Sequence, residues 1–208
     1  MRVVITSGPT REYLDPVRYL SNASSGRMGA ALAEAFLAAG HEVVVVSGPV
    51  HIRYPDGASV VPVVTTDEML QAVRREFASC DGLIGAAAPC DYRPAIYSSR
   101  KISKRGDGLQ LDLVETPDIL ANLGMEKGRR WIVGFALETE KLHEHALEKL
   151  IRKNCDLIVV NRAEAIDAVE TEVGVLDPNG TWVAKLAGDK TKVASELCAL
   201  IEMRLQRS

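Results

Sequence analysis

Two periodicities alternate along the chain. Short apolar runs rich in β-branched residues, such as "RVVITSG" near the N-terminus and "HEVVVVSGP" from His41, read as strands buried on both faces. Between them "GRMGAALAEAFLAAG" is helical in composition and closes at Gly40, a good C-terminal stop. The alternation then repeats. "TTDEMLQAVRREFAS" reads as an amphipathic helix that opens on a Thr/Asp cap, and "CDGLIGAAAP" as a third strand. "TPDILANLG" reads as a short helix, with Thr116 as its cap and Pro117 at its first position. "RWIVGFALET", "EKLHEHALEKLIRKN" and "CDLIVVN" follow as strand, helix and strand. "TEVGVLD" and "TWVAKLA" flank "PNG" as a hairpin, and Asp189 caps a final helix.

Strand–helix alternation with continuous apolar strands is the signature of a parallel sheet covered on both faces. The pattern therefore predicts an α/β fold: a doubly wound, mostly parallel, Rossmann-like sheet with a late hairpin. No shift in composition divides residues 1–208, so they are expected to form a single nucleotide-binding domain. One segment resists assignment. Residues from about 91 to 115 gather basic residues and glycines around one weak alternating run. Long excursions of this kind are functional or disordered. Residues 94–110 are expected to be a mobile basic flap, because little in them could build a core.

Composition narrows the classes. Aromatic residues make up only 5% of the chain, so aliphatic side chains must build the core. A net charge of −3 gives no sign of a nucleic-acid partner. No apolar run reaches the roughly 18 residues a membrane span needs, and the N-terminal apolar run is too short for a signal peptide. A cytoplasmic protein is the expectation. Cys80, Cys90, Cys155 and Cys198 contain no CxxC pair, so reduced thiols are expected in place of a zinc site or a disulfide scaffold.

Candidate chemistry begins in "RYLSNASSGRMGAALAEAF", which lies between the first strand and the first helix. In a doubly wound sheet this is where ligands bind. Free N–H groups at a helix start attract anions, and glycines let a phosphate approach the main chain. Ser24 and Ser25 add hydroxyl donors, and Arg18 and Arg27 add positive charge. The run is a candidate phosphate cradle, although a capped, solvated loop would also fit. It is not a dinucleotide fingerprint, since no GxGxxG is present. Asn22 taken alone is a turn or cap residue. No Ser-His-Asp or Cys-His constellation stands out. His143 and His145 lie two apart on a charged helix and cannot both face one site, and His41 and His51 lack flanking partners.

The stretch "TSGPTREYLDPVRYLSNASSGRMG" resembles the opening motif of the phosphopantothenoylcysteine synthetase family, the ligase half of a bacterial bifunctional coenzyme A biosynthesis flavoprotein. The resemblance continues in order through "VSGPV", "AAAPCDYRP", "KISK", "TPDIL", "VGFALET" and "RKNCDLIVVN", nearly the whole chain. It implies a ligase, here free-standing and without flavin. Such an enzyme joins 4′-phosphopantothenate to L-cysteine through an acyl-cytidylate, with CTP as co-substrate and Mg²⁺ present. ATP replaces CTP in the eukaryotic type. A homodimer is implied, with the late hairpin as a candidate interface, and a separate decarboxylase of the same pathway is an expected associate.

The resemblance also implies roles. Asn22 would hold the acyl-cytidylate through its amide, and Ser24, Ser25 and Gly26 would line the nucleotide phosphates. Arg18 would bind substrate, although it could equally pair with Asp15. Lys101 would close over the triphosphate from the flap. Lys104 matches the last lysine of the family's K-x-K-K, whose middle lysine is Ser103 here. Asp91 would bind ribose hydroxyls or the magnesium ion. Ala87 and Ala88 would give room for the nucleotide, and Phe135 would sit beside the cytosine. Cys90 reads as an inert small residue, and Glu138 has no definite task. Two rival readings make different demands on the sequence. A Rossmann oxidoreductase needs an acidic residue ending strand two, which here ends "VVSGP". A non-catalytic nucleotide-binding regulator would keep the phosphate loop but need no lysine flap.

Overall fold

The computed structural model describes every residue except 105, 107, 139, 163–169 and 206–208, and gives the backbone alone for Glu138, Arg162 and Glu170. In chain order the described residues form β1 (Arg2–Ser7), β2 (Arg11–Tyr13), β3 (Tyr19–Ser21), α1 (Arg27–Ala38), β4 (Glu42–Ser47), β5 (Ser59–Pro62), α2 (Thr66–Phe77), β6 (Gly82–Gly85), β7 (Tyr92–Pro94), β8 (Leu113–Glu115), α3 (Ile119–Met125), β9 (Trp131–Glu138), α4 (Leu142–Arg152), β10 (Leu157–Arg162), β11 (Glu170–Leu176), β12 (Trp182–Asp189) and α5 (Lys190–Leu205).

Eight strands make one sheet in the order β12-β11-β10-β9-β6-β1-β4-β5. The six strands from β10 to β5 run parallel. β11 and β12 add to β10 as the antiparallel hairpin that "PNG" foretells. Alternate residues of each strand go to opposite faces. On one side Ile5, Val45, Val133 and Val159 pack with Leu32 and Phe36 of α1 and Leu197 and Ile201 of α5. On the other, Val4, Val44, Leu83 and Ile132 pack with Met69 and Val73 of α2, Leu123 of α3 and Leu150 of α4. The run "VVVV" is buried throughout because each of its faces has a helical layer over it.

The chain winds from β1 through β4 to β5 in one direction and from β6 through β9 to β10 in the other. The order reverses between β1 and β6, and the crevice at the carboxyl ends of those two strands is where such sheets take ligands.

Three short pairings fall outside the simple alternation. β5 is a four-residue edge strand whose Pro62 is tolerated there because an edge leaves N–H positions unused. β2 pairs with β3, and β7 with β8, as two small antiparallel ladders above the sheet. The second closes the base of the basic excursion. Lys101 and Lys104 are exposed within it, while Arg105 and Asp107 lie outside the described residues. One cap differs from expectation. Asp118, not Thr116, caps α3, its Oδ1 accepting from Ala121 N at 3.1 Å. Pro117 therefore precedes the helix instead of opening it, and Thr116 donates its hydroxyl to the carbonyl of Cys90.

Candidate active site

The loop after β1 and the loop after β6 are laced together over the crevice. Pro9 forms a parallel bridge with Ala88, and Ala88 N donates to Gly8 O at 2.9 Å. Ala87 N donates to Thr6 Oγ1 at 3.2 Å. Asn22, exposed at the top, donates its side-chain amide to Pro89 O at 2.8 Å and more weakly to Ala88 O at 3.4 Å. Its amide therefore spans the two loops.

Behind Asn22 the chain enters α1. Gly26 is the N-cap residue at φ +75°, a left-handed conformation that suits glycine, and no side chain caps the helix. Ser7 donates its hydroxyl to Gly26 O at 3.1 Å. A Cβ on Gly29 would overlap that same serine side chain, so the start of α1 sits directly against the end of β1. The unpartnered N–H groups of the first turn open beside Ser24 and Ser25, as an anion cradle requires.

Two cavities adjoin this point. One, of about 440 Å³, is lined by Ala87, Pro89, Asp91 and Phe135 together with residues of the 115–120 loop and with Arg152 and Lys153. The other, of about 530 Å³, is lined by Asn22, Ser24 and Ser25 with Arg11, Arg27 and His51. The expected site residues thus divide between two compartments, with the Asn22–Pro89 contact as the link. Arg18, Gly26, Ala88, Lys101 and Lys104 line neither. Arg18 lies 3.4 Å from Asp15 Oδ2 and donates to Ile102 O at 2.8 Å, so it faces the lysine-bearing segment. The side chain of Glu138 lies outside the described residues.

Residues 1–205 match the family model described as the DNA/pantothenate metabolism flavoprotein C-terminal domain. The chain belongs to this family. The bifunctional coenzyme A biosynthesis protein CoaBC of Haemophilus influenzae is 38% identical over 212 residues, covering 100% of this chain and 53% of that protein. CoaBC of Bacillus subtilis is 44% identical over 164 residues, covering 78% and 40%. The crystal structure of the C-terminal domain of a CoaBC superposes with a TM-score of 0.83 at 36% identity, covering 98% of this chain and 95% of that one. The chain spans about half the length of the curated relatives it matches.

In this flavoprotein C-terminal domain the first cavity also carries residues that sequence patterns did not single out. Lys153 and Arg152, at the end of α4, lie 3.2 Å and 3.5 Å from Asp118 Oδ2. One carboxylate thus caps a helix and holds two cations at the cavity wall. An entering polyanion can recruit both cations without their first being buried unpaired. The signal was present in "RKN", but only the fold brings the end of α4 to Phe135. Asp91 and Glu115 also line the cavity, and Asp91 O accepts from Thr116 N at 2.9 Å. These hard oxygen donors suit Mg²⁺, which binds through one or two carboxylates together with substrate phosphates.

Cys90 sits in the same wall but is buried, with its backbone N–H donating to Thr10 Oγ1 at 2.8 Å. Burial pushes its thiol above the ordinary value, which fits an inert filler and disfavours a thiolate nucleophile. Away from the site, His41 does have a partner. Its Nε2 lies 2.9 Å from Glu202 Oε1.

Proposed function

We propose that this chain is a phosphopantothenate–cysteine ligase of coenzyme A biosynthesis. The observation that carries the reading is the pair of cavities joined at Asn22. Relatives named for coenzyme A biosynthesis support it. An acyl transfer through a nucleotide needs no protein nucleophile. It needs two substrates held in line and positive charge around the phosphates.

In this reading CTP occupies the cavity with Phe135, Asp91 and Lys153. Phe135 lies against the base, and Ala87 leaves room for it. Lys153 and Arg152 exchange Asp118 for phosphate oxygens. Asp91 and Glu115, which line this cavity, would hold Mg²⁺, and the ion would neutralise phosphate charge. Ser24 and Ser25, expected at the nucleotide phosphates, line the other cavity, and in this reading 4′-phosphopantothenate enters there instead, with Arg27 and Arg11 favouring its anionic end. Its carboxylate attacks the α-phosphorus, and pyrophosphate leaves. Asn22, already aligned by Pro89, donates to the acyl-cytidylate. The amine of cysteine then attacks the acyl carbon, loses a proton, and CMP departs. Lys101 and Lys104 stabilise charge on the triphosphate from the excursion above. The same reading expects a homodimer, with the β11–β12 hairpin as its contact.

The test is pyrophosphate release with 4′-phosphopantothenate and cysteine, with CTP and ATP compared. Release that needs the pantothenate supports the ligase, and CTP over ATP supports the bacterial type. Nucleotide binding without release would favour a regulator.

A further inference from the structure

The turn between β2 and β3 uses an aspartate in a way that a turn does not require. Leu14 N donates to Arg18 O at 2.9 Å, which closes the turn. Asp15 Oδ1 accepts from Val17 N at 2.8 Å and Arg18 N at 2.9 Å, the local arrangement for which aspartate is favoured in turns. One oxygen therefore satisfies the turn. The second, Oδ2, accepts from Ile102 N at 3.1 Å, 87 residues away in sequence. Arg18 stands 3.4 Å from the same oxygen and donates through Nη2 to Ile102 O at 2.8 Å. Both backbone groups of Ile102 are thus held by one ion pair. Four residues earlier, Ser98 N donates to Leu14 O at 2.9 Å.

Asp15 is completely buried, with the Arg18 guanidinium as its ion-pair partner. Burial alone would raise its pKa. The N–H groups of Ile102, Val17 and Arg18 and the Arg18 guanidinium outweigh that, and the carboxyl titrates below its ordinary value. It is a carboxylate at neutral pH, with its acceptor positions taken by named donors.

We infer that Asp15 is a positioning residue: with Arg18 it clamps the peptide groups of Ile102 and so fixes the backbone from which the neighbouring Lys101 extends. This rests on the ligase reading for what Lys101 does, but not for the clamp itself. A lysine on an otherwise exposed segment would sample many positions. Fixing both peptide groups beside it removes that freedom before substrate arrives, which is the sense in which a distant contact can govern rate.

Asp15→Asn separates turn from clamp. An amide oxygen can still accept from Val17 and Arg18. Its NH₂ then meets the Ile102 N–H and the guanidinium, donor against donor. In the native protein, tryptic cleavage after Arg100, Lys101 and Lys104 is compared with the variant, alongside acyl-cytidylate formation from CTP and 4′-phosphopantothenate without cysteine. Expected are cleavage several-fold faster and formation slower by about 10²-fold with the KM for CTP little changed, together with a lower thermal midpoint, because the buried ion pair with Arg18 is lost. Unchanged cleavage in a folded variant overturns the clamp, and faster cleavage with an unchanged rate overturns the positioning role. If Asp15→Asn does not fold, Ile102→Pro removes the same N–H from the exposed segment and is read in the same way, by cleavage after Arg100 and Lys104. Failure of the ligase reading would show separately, as a native protein that releases no pyrophosphate.

Discussion

The side-chain amide of Asn22 and the carbonyl of Pro89 meet at 2.8 Å across the mouth of the sheet. The amide is a donor facing an acceptor, so its orientation is set by the fold before any substrate binds. Asn22→Asp puts a carboxylate where the donor was, against Pro89 O and Ala88 O. Turnover should fall by roughly 10²–10³-fold or more, the loss expected for one preorganised donor. CTP affinity and the thermal midpoint should change little, because the side chain is exposed and nearly isosteric. Titration calorimetry with CTP beside steady-state kinetics checks the split.

Lys101→Gln should act earlier in the reaction. Removing its charge should slow acyl-cytidylate formation itself, seen when labelled CTP and 4′-phosphopantothenate are mixed and quenched without cysteine. Formation at the native rate would remove Lys101 from the chemistry.

Gly48 follows β4 and lies directly under the loop after β1. A Cβ there would overlap the carbonyl oxygen of Pro9, a backbone atom tied into the bridge with Ala88. Neither side can yield. Gly48→Ala should cost about 1–3 kcal/mol in a denaturant titration. Gly108→Ala, where a Cβ meets open space, should stay within about 0.5 kcal/mol.

All four cysteines are free and buried. Burial pushes the thiol of Cys155 from 9.0 to about 12. The fold therefore prefers the protonated thiol. That preference is fully present below pH 9.0, the value of an unperturbed thiol, and declines as pH rises towards about 12. Alkaline unfolding should steepen in this window and flatten in Cys155→Ala. At pH 7.5 native protein should react slowly with a thiol reagent, and denatured protein should release all four thiols at once.

Much of this architecture can be read from residue order. The parallel core shows as uninterrupted β-branched runs, the hairpin as "PNG", and the last cap as Asp189, whose Oδ1 accepts from Lys192 N at 2.8 Å. The resemblance puts both Asp91 and Phe135 at the nucleotide, and both line one cavity, Asp91 six residues beyond the end of β6 and Phe135 within β9. What escaped has physical reasons. β7 and β8 are largely exposed, so no alternation betrays them. In "TPD" two residues can cap a helix, and Thr116 is drawn away by its bond to the carbonyl of Cys90, which is distant in sequence. The resemblance implies a substrate ligand in Arg18, with Asp15 as an alternative partner. Its second bond, to Ile102, cannot be seen without the fold.

The antiparallel hairpin has a consequence for how the chain is made. While residues up to Arg162 leave the ribosome, β10 is the outermost strand, and Leu157, Ile158, Val159 and Val160 are all buried in the finished protein. Until β11 arrives, that strand has an unpaired, apolar edge of the kind that recruits other chains. The face of α1 that α5 later covers waits as well. The last strands and helix thus act as a closing seal. A chain stopped shortly before Glu170 should therefore be far less soluble than the full chain.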